Sequence, residues 1–221
     1  MIPFCKSKLL LPLVTLFFIN IFFAQRLETN LNQNWYFILN DNANFSKTNI
    51  SHTSWVKLNV PHDWSFQKGV RKGGDQGQGG GYHDGGIGWY RKTIQIEKNS
   101  LSKTTYLNFD GVYMNSEVWI NGNYIAKRPY GYISFRYDIT KHLKEGNNTI
   151  AVRVDNALEP SARWYHPCGI YANVKLIQVQ KHHIKPNGVF VSTPNIEKNK
   201  ASVNIKVALA NYKRGLKLKT K

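Results

Sequence analysis

Beyond residue 25, apolar positions show no sustained helical period; they alternate with polar ones, or cluster in short runs closed by Gly, Asn, Asp or Pro. Seven such runs read as strands: TTYLNFDGV (104–112), EVWINGNYIA (117–126), ISFRYDIT (133–140), NTIAVRVDN (148–156), ANVKLIQVQ (172–180), GVFVSTP (188–194) and ASVNIKVALA (201–210). They are rich in Val, Ile, Tyr, Phe and Trp, which suit a pleated, half-buried surface. Asn121-Gly122 predicts a two-residue hairpin turn, because both central positions of that turn need positive φ. Many short strands separated by turn signals predict an all-β sandwich. A boundary is expected near KHHIKPNG (181–188), giving one domain over 25–181 and a further β segment over 182–221. The second segment holds about three strands, too few for an immunoglobulin-like sandwich of about seven, and is expected to be the start of a domain that the chain does not complete.

The first 24 residues read differently. Lys6 and Lys8 precede LLLPLVTLFFINIFF, which ends at Ala24; this is the pattern of a secretory signal peptide. The apolar run is shorter than the ~20 residues a membrane span requires, so no stable membrane span is expected, and the protein is expected to be exported to a bacterial periplasm or beyond. Cys5 falls inside the leader, leaving Cys168 as the single mature cysteine. It is expected to be a small buried hydrophobe, with no disulfide available to it.

The formal charge of +17 raises the possibility of a nucleic-acid partner. Residues 25–181 carry 19 basic and 12 acidic side chains, a net of +7, whereas 182–221 carry nine basic residues against Glu197 alone, a net of +8. The excess is concentrated in a solvated tail, and an exported protein is not expected to meet nucleic acid. A basic envelope protein gripping anionic polymer through that tail is the least favoured alternative.

Three segments combine aromatic, polar and turn-forming residues: VPHDWS (60–65), GGDQGQGGGYHDGGIGWYRK (73–92) and SARWYHPCGIY (161–171). The second is read as a loop; it has neither a P-loop ending nor GxGxxG, so phosphate binding is not expected there. Asp63 fits either a turn or cap residue after Pro61, or a carboxylate taking sugar hydroxyls. Arg163 and Trp164 pose the same choice: an arginine tied to carbonyls and a buried tryptophan filling the sheet edge, or a guanidinium fork beside a ring that suits a hexopyranose. His62, His83 and His166 lack metal-ligand spacing, so no metal site is expected. No nucleophile motif is present.

PHDW, GGIGWYRK, FDGVYMNSEVWINGNYIAKRPYGYISFRYDIT, AVRVDN and RWYHPCGIYANV, in this order and spacing, resemble the N-terminal sugar-binding domain of glycoside hydrolase family 2 in its β-galactosidase-type form. The resemblance runs from about residue 34 to 180, and the tail resembles the start of the immunoglobulin-like domain that follows in that family. It implies a jelly-roll, galactose-binding-like β-sandwich beside a separate (β/α)₈ barrel in which two glutamates perform hydrolysis, with no cofactor. It implies that Asp63, and with it Arg163 and Trp164 in the RWY loop, face the substrate. HPCG departs from the smaller, glycine-rich sequence usual after RWY. The chain's six glutamates, Glu28, Glu97, Glu117, Glu145, Glu159 and Glu197, all fall within or beside sandwich strands. None supplies the carboxyl pair ~5 to 5.5 Å apart that a retaining mechanism uses, so no catalytic residue is expected in this chain. The implied function is the non-catalytic N-terminal portion of an exported β-galactosidase-like hydrolase, expected to engage a β-galactoside-like glycan only with its barrel and to be truncated. A free-standing carbohydrate-binding module is the alternative.

Overall fold

The computed structural model describes residues 26–158 and 164–215. The leader, Cys5, Glu159, Arg163 and residues 216–221 lie outside the described residues. In chain order the strands are β1 (Leu27–Asn30), β2 (Trp35–Leu39), β3 (Val56–Leu58), β4 (Gly86–Ile96), β5 (Thr104–Phe109), β6 (Ser116–Ile120), β7 (Asn123–Arg128), β8 (Phe135–Asp138), β9 (Gly146–Asn156), β10 (Val174–Val179), β11 (His183–Ile196) and β12 (Ala201–Ala210). One short helix, α1 (Trp64–Lys68), lies between β3 and β4.

The fold is an all-β sandwich. A six-stranded sheet ordered β3-β2-β4-β9-β6-β7 faces a four-stranded sheet ordered β1-β10-β5-β8, and every pairing is antiparallel. The core between them holds Trp35, Phe37, Tyr90, Ile94, Leu107, Phe109, Val118, Ile120, Phe135, Ile150, Val152, Val154, Val174 and Leu176. The predicted turn forms between β6 and β7, with Asn121 at φ 51° and Gly122 at φ 80°. β11 and β12 pair only with each other; among the described residues they are the two strands beyond 182, where three were expected. Val189 opposite Val207 and Val191 opposite Ile205 give this hairpin an apolar face that is largely exposed.

Gly86 to Lys92, expected in a loop, instead opens the central strand β4. Its Tyr90, Ile94 and Ile96 point into the core, while Trp89 and Arg91 on the opposite face are also buried. The outer face is covered by residues 42–55: Phe45 and Trp55 pack on Trp89. Beneath this cover, Arg91 donates to Phe45 O, to Thr48 O at 3.2 Å and to His52 Nε2 at 3.0 Å. A strand buried on both faces loses its alternation, which is why its pattern did not read as a strand. No helix among the described residues is long and apolar enough to cross a membrane.

Candidate functional site

The three segments singled out in the sequence meet at one end of the sandwich. Backbone pairing begins the assembly: His62 N–H donates to Ile170 O at 2.8 Å, and Trp64 N–H donates to Cys168 O at 3.1 Å. On the other side of the same segment, Tyr113 and Gly169 exchange two backbone hydrogen bonds of 3.0 Å. Gly169 has φ 127°, and a Cβ there would lie 2.2 Å from the Tyr90 hydroxyl oxygen and 2.8 Å from His62 O. Only glycine fits between the two neighbours.

Buried side chains lock the arrangement. The Trp64 indole donates to Gly85 O at 3.1 Å, tying α1 to the glycine-rich loop. His62 Nε2 lies 3.0 Å from Gln67 Oε1 and its Nδ1 lies 2.7 Å from the Tyr90 hydroxyl. A neutral ring that donates from Nε2 and accepts from Tyr90 satisfies both contacts. Burial lowers the His62 pKa and raises that of Tyr90 well above its ordinary value, keeping both uncharged. Asp84 takes a two-pronged bond from Arg71, with distances of 3.0 and 2.8 Å, and this holds its carboxyl below the usual range. Cys168 is buried, as expected, with Asn156 Nδ2 at 2.9 Å from its sulfur.

Asp63 is the N-cap of α1: Oδ1 accepts from Ser65 N–H at 3.0 Å and Phe66 N–H at 3.1 Å. Its other oxygen accepts from the Tyr165 hydroxyl. An ionised carboxylate has about four acceptor positions, so these three bonds leave one for an outside hydroxyl. Tyr165 also packs its ring on His83, with centroids 4.5 Å apart. Burial first, and then Asp63, push the Tyr165 phenol far above its ordinary pKa, so it remains a donor.

Trp164, the preceding residue, is 77% exposed, which overturns the expectation of a buried tryptophan filling the sheet edge. The segment after it is anchored through Tyr165 and Cys168, while Trp164 itself stands in solvent. Arg163 lies outside the described residues. Beside Trp164 in sequence, His166 stacks on Tyr113 at 4.8 Å and hydrogen-bonds Tyr132, and Tyr130 and Tyr132 are exposed on the neighbouring loop. His62, His83 and His166 thus have separate partners, and among the described residues no three His, Cys, Asp or Glu side chains are placed to hold a metal.

Tyr165, His83 and Tyr132 were not identified as site residues from the sequence. Tyr165 sat within RWY, but its partner, Asp63, is 102 positions away; no local pattern marks such a pair.

Together these features define a jelly-roll sandwich of the galactose-binding-like class, with an aromatic and polar rim built from three loops at one end. Residues 82–180 match the family model for the sugar binding domain of glycosyl hydrolases family 2. Over this part the chain matches the N-terminal region of members of that family. It is 71% identical over 88% of its length to a protein of Formosa agariphila that carries a provisional β-glucuronidase name, of which it covers 19%. It is 42% identical over 85% of its length to a β-galactosidase of Bacteroides ovatus, of which it covers 22%. Among solved structures, a β-glycosidase from Bacteroides vulgatus superposes with a TM-score of 0.78 at 38% identity, over 84% of this chain and 24% of that one. The chain therefore spans about a fifth of the length of these curated relatives.

Proposed function

We propose that this chain is the non-catalytic N-terminal portion of an exported β-galactosidase-like glycoside hydrolase, and that the loop rim faces the sugar. The observation that carries this reading is Trp164, in open solvent next to the anchored Tyr165 in a domain matched as sugar binding. An exposed indole offers a pyranose ring an apolar face. The remaining acceptor position of Asp63 takes a sugar hydroxyl, and Arg163 supplies a second polar contact.

Hydrolysis is assigned to a barrel outside this chain. Many of the described carboxylates already have structural partners: Asp41, Glu117 and Asp155 surround Arg153, Asp84 binds Arg71, Asp110 pairs with Lys175, and Asp63 caps a helix. Because the names of the relatives divide between galactosidase and glucuronidase, the test uses paired substrates. The purified chain is expected to turn over neither 4-nitrophenyl β-galactoside nor the matching β-glucuronide above a mock preparation. Turnover that copurifies with the chain would overturn the assignment. Secretion is tested by following residues 1–24 fused to a reporter; cytoplasmic retention of the intact fusion contradicts export.

A free-standing carbohydrate-binding module is the second reading, favoured by the same exposed Trp164. Tight, stoichiometric binding of a galacto-oligosaccharide to the chain alone would establish it in place of the first.

A further inference from the structure

Among the described residues between Trp164 and Cys168, the anchored one that adjoins Trp164 is Tyr165. Its hydroxyl bonds Asp63 at the start of α1, and its ring lies on His83 of the glycine-rich loop. Three chain segments, distant in sequence, are therefore joined at one phenol. Asp63 is itself fixed by the two backbone N–H groups that it caps, and α1 is fixed by the buried Trp64. The path from the sandwich core to the exposed indole thus runs through Trp64, Asp63 and Tyr165.

We infer that Tyr165 is a positioning residue: its bond to Asp63 holds Trp164 in place at the rim, so that the indole meets a sugar ring without first being ordered. This rests on the sugar-facing reading above and adds to it a residue that does not itself need to touch the ligand. Ordering a side chain at the moment of binding weakens affinity, and a loop fixed in advance avoids that cost. The hydroxyl matters more than the ring, since the ring contact with His83 would survive without it.

The test uses the full chain with ¹⁵N-labelled tryptophan. The chain has six tryptophans, and Trp164→Phe identifies the resonance of the exposed one. Three variants separate the roles. Tyr165→Phe removes the bond but keeps the ring; Asp63→Ala removes the bond and the cap; Asp63→Asn keeps both, because a tyrosine hydroxyl can accept from an amide as well as donate to a carboxylate. The expected result is a fall in the heteronuclear NOE of the Trp164 indole in Tyr165→Phe and Asp63→Ala, none in Asp63→Asn, and no change at the other five indoles in Tyr165→Phe. Methyl β-galactoside, titrated by the Trp164 chemical shift, should bind Tyr165→Phe about five-fold more weakly than the parent. Adding Tyr165→Phe to Asp63→Ala should weaken binding little beyond Asp63→Ala alone, because the bond between the two residues is already broken there and only the sugar contact of Asp63 separates the two single variants. An unchanged Trp164 NOE in Tyr165→Phe overturns the inference, as does independent multiplication of the two losses. If Trp164 loosens as expected but no variant, parent included, responds to the sugar, the latch stands and the sugar-facing reading fails.

Discussion

Asp63 is where folding and the proposed ligand contact meet, and two substitutions pull them apart. Asp63→Ala removes an N-cap whose Oδ1 accepts two backbone N–H bonds, a loss of about 1 kcal/mol. It also strands the Tyr165 hydroxyl. A bond to a charged acceptor is worth about 1.5 to 3 kcal/mol when buried, but this one is partly solvated and is discounted to about 1 kcal/mol. The sum is about 2 kcal/mol, which for a domain of this size lowers Tm by about 4 to 8 °C. Asn is as good an N-cap as Asp and can keep a bond to Tyr165, so Asp63→Asn should stay within about 1 kcal/mol of the parent. Affinity should nonetheless fall in Asp63→Asn, because the acceptor left for a sugar hydroxyl loses its charge; about ten-fold is expected. Thermal unfolding followed by circular dichroism reads the first quantity, and a sugar titration reads the second. Equal destabilisation by Asn and Ala would refute the capping argument, and full affinity in Asp63→Asn would refute the contact.

Other consequences follow from the same packing. Gly169→Ala places a methyl 2.2 Å from the Tyr90 hydroxyl oxygen at a φ of 127°, so denaturant unfolding should show a loss of about 3 to 5 kcal/mol; wild-type stability would mean that the three loops do not close on this residue. Arg91→Met strips the carbonyls of Phe45 and Thr48 of their donor, and trypsin should then cut at Lys47 about ten-fold faster, since local opening governs such cleavage. The carboxyl of Asp84 is held below the usual range by Arg71. Its contribution is therefore present above the unfolded value of about 3.9 and is lost as pH falls through the lower folded value. In Asp84→Asn that part of the acid slope should be missing from pH-dependent melting; an unchanged slope would count against the ion pair.

Strands with one solvated face were legible because their alternation survives. β5 through β10 fell where the runs placed them, and the Asn121-Gly122 turn formed from its own backbone preference. β4 was not legible, since residues 42–55 bury its outer face and erase the period. β1 and β3 are short edge strands of four and three residues, defined by their neighbours more than by composition. At the rim, the capping alternative for Asp63 could be read from PHDW alone. The exposure of Trp164 could not: whether an aromatic residue in a long connection turns inward depends on the space left beside it, and here Tyr90, Trp64 and Cys168 already fill the interior. The bond from Tyr165 to Asp63 is a product of the fold.

The claim that this rim faces sugar is tested most directly by watching all six tryptophan indoles while methyl β-galactoside is added to the chain. The other described tryptophans are buried or partly buried, so a ligand at the rim should move the Trp164 resonance selectively. Because full engagement is assigned to the rim together with the barrel, contact by the rim alone should be weak, with Kd of about 10 mM or more for one sugar ring on one loop end. A saturable shift confined to Trp164 is the predicted result. No shift up to about 100 mM, or a shift at Trp119 on the outer face of the six-stranded sheet with Trp164 unmoved, would contradict it.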